Sequence, residues 1–339
     1  MATIRTSAPG KLFLLGEYAV LEGAPALLTA VDRRVTVTIS ESTSRFWQVS
    51  AVSLDIDGLR LDDGGTVPEH LDPHRRRQLR VFDAVRAAVF TRAGRIPGPL
   101  AISIDSSALS RDGHKLGLGS SAAVAAALTA ALASAAGLSL EKESVCDLAM
   151  AAHRSAQNGT GSGGDVAASV YGGLIRYSRG STPTLLNWPE DLTVIAVVTG
   201  AGSRTTDLVG RVAAYAAREQ SQYRADIERL TRLAEHAQSA LSYPSRFLRL
   251  VSDYFAALTL LDAHAQAGIV TAQHQALHAL AKHQGGTFKS SGAGGDDVGL
   301  AFSHSGEPAR ALAAAFAQAG AQIVPLRFGA DGLQEGPDS

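Results

Sequence analysis

Three glycine-dense stretches and one strand start carry the side chains best suited to handling phosphate. KLGLGSSAAV at 115–124 sets Gly117 and Gly119 directly before Ser120, Ser121 and an alanine-rich run. Small residues let a backbone approach an anion closely, a helix beginning there has unpaired N–H groups, and its dipole favours negative charge. The two serines can turn their hydroxyls to phosphate and Mg²⁺, or simply cap the helix after a turn; these letters alone fit both. No Gly-Lys-Ser/Thr follows four residues after a Gly, which excludes a Walker A loop. NGTGSGGDVAASVYGGLIRY at 158–177 matches G-x-G-x-x-G through Gly159, Gly161 and Gly164, but a dinucleotide site needs a strand before it and this one follows a helical pattern. More telling is Asp165, a carboxylate directly after those glycines, whose ordinary alternative is a helix N-cap. KSSGAGGDDVGLAF at 289–302 reads as a glycine-rich turn into an apolar strand, with a tight hairpin as the plain alternative. APGKLFLLGEYAVLEG at 8–23 puts Lys11 at a strand start after Pro-Gly, where a lone lysine is ordinarily a solvated edge residue.

Elements able to hold these groups follow from periodicity. Strands are expected at Thr3–Ser7, Lys11–Leu15, Ala26–Ala30, Val35–Ile39, Trp47–Ile56 and Leu100–Ile104, with a loop over 57–74. Helices are expected at Arg77–Ala93, Ser121–Ala136 and Leu140–Gln157. The Pro- and Ser-containing stretch 178–189 reads as a connection between two units, 1–185 and 186–339. Beyond it the pattern predicts a strand at Thr193–Val198, a long helix Val209–Leu241, further helices Arg246–Gln266, Thr271–His283 and Glu307–Gln318, strands at Gly299–Phe302 and Gln322–Phe328, and a frayed tail from Gly329.

Composition narrows the class. The chain has 339 residues, and 31 Lys plus Arg balance 32 Asp plus Glu to a net charge of -1, so a coat for nucleic acid or a membrane surface lacks its electrostatic footprint. One cysteine, Cys146, excludes a disulfide framework. The N-terminal letters lack the apolar core of a signal peptide, and the run Ala122–Leu138 is mostly alanine, so it reads as a closely packed buried helix instead of a membrane span. A cytoplasmic enzyme is expected. The cluster Arg75, Arg76, Arg77 and Arg80 reads as a solvated helix start, and His274 and His278, four apart, lack the intervening Glu and third ligand of a metal site.

Taken in order, APGKLFLLGEYAVLEG, GLGSSAAV, SGGDVAASVYGG and KSSGAGGDDVG resemble the GHMP kinase superfamily over nearly the whole chain, most closely its phosphomevalonate kinase branch. The resemblance implies an α+β, two-domain GHMP fold: an N-terminal ribosomal S5 domain 2-like α/β domain and a C-terminal ferredoxin-like α+β domain, with ATP and the acceptor between them. It implies Mg-ATP and phosphomevalonate as small-molecule partners, and neither nucleic acid nor membrane. By similarity Gly117, Leu118, Gly119, Ser120, Ser121 and Ala122 hold the ATP phosphates, with Ser121 also towards Mg²⁺. Lys11 and Asp165 match the active-site pair, while Lys115, Ser162, Arg204, Ser291, Gly292, Ala293 and Gly294 match positions on the acceptor side. A phosphate monoester has its second pKa at about 6, so it needs little help from a base. The expected roles are therefore a bridging Lys11 and an orienting Asp165.

Some positions depart from the pattern. Mevalonate kinases carry a Mg²⁺-binding Glu where AMAAHRSAQNG has His153; imidazole suits that hard cation poorly, so His153 is expected to hydrogen-bond or pack. Arg204 stands where a Ser is usual in TGAGSRTTDLVGRV, and Asp296 where a third Gly is usual. Mevalonate kinase or a related decarboxylase is the alternative activity, and a nucleotide-binding regulator that has lost catalysis is the alternative outside enzymes.

Overall fold

The structure, a computed structural model, describes residues 2–111, 114–200, 205–295 and 298–336. Two long strands, β1 (Ile4–Leu15) and β2 (Ala26–Glu41), pair antiparallel and form the spine of the first sheet. The sequence splits each into two short strands; the chain runs straight through both. The irregularity becomes a register shift, with Pro9 opposite Arg34 but Gly10 opposite Val31. Such a bulge bends a strand and re-aims the next side chain, which is Lys11.

Next come β3 (Gln48–Ala51), β4 (Ile56–Arg60), α1 (Pro73–Gln78), α2 (Arg80–Ala93) and β5 (Leu100–Asp105). The single strand expected over Trp47–Ile56 is instead the hairpin β3–β4, whose second strand takes the first residues of the expected loop, to Arg60. It is interrupted by a short 3₁₀ turn that ends at Asp55 with a left-handed φ of 53°. After the small hairpin of β6 (Ser110–Arg111) and β7 (His114–Lys115) follow α3 (Ser120–Ala135), α4 (Lys142–Ala156), α5 (Gly164–Tyr171), β8 (Leu174–Tyr177) and β9 (Thr184–Leu186). The sheet runs β1-β2-β5-β3-β4, with β8 on the free half of β2 and β9 beyond it; among the described residues β3–β5 is its one parallel pair. Helix α3 is buried on nearly every side, and its alanines allow the close approach to β1 seen where Thr6 Oγ1 donates to Ala127 O (2.8 Å).

The second sheet is β11-β12-β10-β13, built from β10 (Thr193–Val198), β11 (Thr287–Ser290), β12 (Val298–Ser303) and β13 (Gln322–Val324). Five helices join its strands: α6 (Thr205–Arg218), α7 (Gln220–Glu235), α8 (Ala237–Leu241), α9 (Pro244–Ala265) and α10 (Ala272–His283); a sixth, α11 (Glu307–Gln318), follows β12. The expected single helix over 209–241 is divided into α6, α7 and α8: Glu219 leaves helical geometry with φ −128° and ψ 55°, and His236 marks a second interruption between α7 and α8. Leu277, Ala281, Leu312 and Phe316 from α10 and α11 pack on Val197, Phe288 and Ala301 of this sheet. On the other side, Phe247, Val251, Tyr254 and Leu258 of α9 belong to the large apolar cluster that includes Leu12 to Leu15 of β1. One core thus passes through both sheets.

The tail expected to fray does not do so up to Gly336. Val31 bridges Phe328, Gly172 bridges Asp331, and β14 (Gln334–Glu335) pairs with β1 at Thr6 and Ser7. Arg34 holds this return: its guanidinium donates to Asp331 O (2.8 Å), Gly332 O (2.7 Å) and Ser7 O (2.9 Å). Residues 326–336 thus lie on the first sheet although they follow the second in sequence.

Two outcomes follow from this packing. Arg34→Ala removes charge-assisted bonds to three carbonyls and should cost about 2 kcal/mol in urea unfolding, with proteolysis starting within 326–336. Burial, with Asp147 and Glu143 near, pushes the Cys146 thiol up to about 12. Iodoacetamide at pH 8 should therefore leave native Cys146 unmodified in a mass spectrum and alkylate it fully after denaturation.

Candidate active site

Lys11 is buried, not a solvated edge residue. Its backbone N–H donates to Leu118 O (2.8 Å), which hydrogen-bonds β1 directly to the loop before α3. Its stem lies along Gly119, where an added Cβ would sit 2.6 Å from Lys11 Cε, and its Nζ lies 5.3 Å from the Phe13 ring centroid. Gly117 and Gly119 have φ of 71° and 76°, conformations that suit glycine, and Gly119 is the N-cap of α3. No serine side chain caps that helix. The hydroxyls of Ser120 and Ser121 are not used as caps, and the first amides of the helix have no carbonyl ahead of them.

Asp165 is not the N-cap of α5 either; that position belongs to Gly163, in a left-handed conformation with φ 87°. Asp165 Oδ1 accepts from the Val166 N–H (3.0 Å), while Oδ2 lies 3.9 Å from His153 Nδ1. His153, buried on α4, places its other nitrogen 3.0 Å from Ser121 Oγ and 3.1 Å from Gln157 Nε2. The Nε2 nitrogen thus faces Ser121 and Gln157, and Nδ1 faces Asp165. His153 therefore hydrogen-bonds Ser121 of the glycine-rich loop and Gln157, and stands beside the Asp165 carboxylate.

The third glycine-rich segment reaches the same strand from the second sheet. Ser291 Oγ accepts from the Phe13 N–H (2.9 Å) and donates to Phe13 O (3.0 Å). A hydroxyl has one hydrogen, so Ser291 must release Phe13 O before it can donate to a phosphate. Gly294 has φ 85°, Ile269 leaves no room there for a side chain, and the Gly295 N–H donates to Ile269 O (2.9 Å). Ala293 O accepts from Tyr18 OH (2.6 Å), while Gly292, also at positive φ, faces open space. Contacts thus run from Asp165 through His153, Ser121, Gly119, Lys11 and Phe13 to Ser291.

Other expected residues fall around this line. Ser162 is buried and its hydroxyl accepts from the Gly164 N–H (3.2 Å), which fixes the start of α5. Lys115 is exposed on β7. Arg204 and Asp296 lie outside the described residues. His274 is engaged with Thr271 and Thr199, and His278 with Phe288 O; among the described residues no cluster of three or more His, Cys, Asp or Glu side chains could hold a metal. Glu17, Tyr18 and Lys289 belong to the site's support and were passed over in the sequence, although two of them are charges inside otherwise apolar or glycine-rich runs.

The family description "GHMP kinases N terminal domain" matches residues 80–173, which contain the GLGSS loop and Asp165. A phosphomevalonate kinase of Streptomyces sp. is 34% identical, over 88% of this chain and 90% of its own length. Among solved structures, the Lin0012 protein of Listeria innocua superposes with a TM-score of 0.87 at 25% identity, covering 99% of this chain and 100% of that one. A Streptococcus pneumoniae phosphomevalonate kinase, in complex with phosphomevalonate and AMPPNP, gives 0.78 at 20% identity over 97% and 100% of the two chains, a likeness of fold. The chain belongs to the GHMP kinase superfamily, and within it to the phosphomevalonate kinase family.

The contact between Gly119 and the Lys11 stem gives a direct test. Gly119→Ala strains a left-handed residue and pushes the lysine aside. It should lower kcat/KM roughly 100-fold while circular dichroism and thermal melting stay close to wild type.

Proposed function

We propose that this chain transfers the γ-phosphoryl group of ATP to the phosphate of (R)-5-phosphomevalonate, giving 5-diphosphomevalonate and ADP. The observation that carries this reading is the unbroken line of contacts from Lys11 through the GLGSS loop and His153 to Asp165, in a chain with full-length likeness to a phosphomevalonate kinase. ATP would lie between the 1–185 and 186–339 units, with its phosphates on Gly117–Ala122 and the α3 N-terminus. The acceptor phosphate would meet Lys115, Ser162, the Ser291–Gly294 loop and Arg204. The cytoplasm is the proposed site of action; among the described residues no helix is long and apolar enough to cross a membrane.

Chemistry at this site is mostly positioning and charge neutralisation. The acceptor oxygen is already anionic near neutral pH, so it attacks the γ-phosphorus directly and the bond to the β-phosphate oxygen breaks. Lys11 is buried on a rigid strand and would bridge donor and acceptor phosphates, holding two anions together that repel in water. Asp165 would orient Lys11 and the acceptor, with His153 fixing its distance from Ser121. The Ser121 hydroxyl and the Asp165 carboxylate are hard oxygen donors that suit Mg²⁺, which binds few protein oxygens alongside phosphates and would neutralise charge on the ATP β- and γ-phosphates.

A coupled ADP-release assay with Mg-ATP against mevalonate, phosphomevalonate and diphosphomevalonate tests the reading. Turnover is expected only with phosphomevalonate. Turnover on mevalonate would make the chain a mevalonate kinase, release of CO₂ from the diphosphate a decarboxylase, and ATP binding with no turnover a regulator. In the same assay Lys11→Ala should lower kcat roughly 100- to 1000-fold. Asp165→Asn should be about tenfold less damaging; equal losses in correctly folded variants would mean that Asp165 is a required base.

A further inference from the structure

Behind the candidate site, a charged pair lies almost wholly out of solvent: Lys289 Nζ donates to Glu17 Oε1 and to Ser290 O (2.6 Å), with side chains 0% and 2% exposed. Burial pushes the Glu17 carboxyl up and the Lys289 ammonium down, each against the pull of the other charge. Such pairs add little stability over well-packed apolar residues. The second oxygen, Glu17 Oε2, is buried with no hydrogen-bond partner among the described residues, a cost that a purely stabilising carboxylate would avoid.

Its neighbours point to a reason. Lys289 is two residues before Ser291, and the Gly292 amide lies close enough to favour the charged form of Glu17. Tyr18, next to Glu17, has φ 60° and ψ −52°, and the Ala19 N–H closes on Glu17 O (2.7 Å) around it. This is a tight γ-turn of the positive-φ kind, rare and strained for a residue with a side chain. The turn is braced by Tyr254 OH donating to the same Glu17 carbonyl (2.7 Å), and it directs Tyr18 OH to Ala293 O (2.6 Å).

We propose that Glu17, Tyr18 and Lys289 are positioning residues for phosphoryl transfer: they pin the Ser291–Gly294 backbone to the strand that carries Lys11, so that loop and lysine address the same phosphates in one fixed geometry. The proposal rests on the kinase reading above. Lys289 adds no net charge to the cleft, because Glu17 matches it and neither reaches solvent. Its contribution is to hold a loop whose glycines would otherwise leave it loose.

The test uses the full chain with Tyr18→Phe, and a double variant, Glu17→Gln with Lys289→Met, that removes both charges together. Melting temperature, kcat, the KM of each substrate, and hydrogen exchange at the Ser291 and Gly295 amides are measured. Tyr18→Phe should melt like wild type, exchange at those amides roughly tenfold faster, and lose roughly tenfold in kcat with the KM for ATP within about twofold. The double variant should show the same pattern more strongly, with a kcat loss of roughly 100-fold. A pair with only a structural role would lower the melting temperature and leave kcat and loop exchange unchanged, which overturns the proposal. If the double variant does not fold, Tyr18→Phe decides alone. If wild-type protein is inactive on phosphomevalonate, the kinase reading falls and the exchange measurements still decide whether the three residues hold the loop.

Discussion

The hydrogen bond from the Lys11 amide to the Leu118 carbonyl is the constraint on which the site depends. It locks the spine of the first sheet to the loop before α3, at a close approach where a Cβ on Gly10 would stand 2.9 Å from Leu118 O and one on Gly119 would run into the Lys11 side chain. Once that contact is set, the bulge at Pro9–Gly10 aims the lysine and the alanine surface of α3 sets its depth. Phe13, two residues on, presents its backbone to Ser291 from the other sheet. Three distant stretches of chain therefore meet along a few residues of a single strand.

How much of this was legible in the sequence depended on the range of the interaction. The glycine-rich segments announced themselves, because positive φ and close backbone approach demand glycine locally, and their order carried the family. Helices such as α2 and α4 were visible in their apolar spacing. Lys11 and Asp165 had the right types, yet their surroundings were not readable: a lone lysine after Pro-Gly looks solvated, and a carboxylate after glycines looks like a cap. The structure assigns the cap to Gly163 and buries the lysine, because tertiary packing overrides both local preferences. The pairing of Glu17 with Lys289, across more than half the chain, leaves no periodic trace at all. The continuous β1 and β2 were missed for a related reason: Pro9 and the polar run Asp32–Arg34 look like strand breakers until a bulge and the returning tail accommodate them.

The electrostatics show the same division of labour. A chain with net charge -1 has no general attraction for two polyanionic substrates. In the proposed reaction, attraction would be local, through buried Lys11, the amides at the start of α3 and Mg²⁺ brought with ATP. Lys289 shows that not every lysine near a phosphate loop serves this end: its charge is matched by Glu17 inside the protein. On the other side, His153 stands between a serine hydroxyl and a carboxylate without adding a fixed charge to the phosphate loop.

The pairing of β14 with β1 also has a consequence for synthesis. The strand that carries Lys11 is made long before its edge partner and the Asp331 and Gly332 carbonyls held by Arg34. A chain emerging from the ribosome can assemble β2, α3 and their neighbours early, but one edge of the sheet stays open until residues 326–336 have left the exit tunnel. An open edge is a template for pairing with other chains. Until β14 emerges, the β1 edge of the nascent protein is open to misassociation, and the strand that covers it is made more than three hundred residues after Thr6 and Ser7, the residues it pairs with.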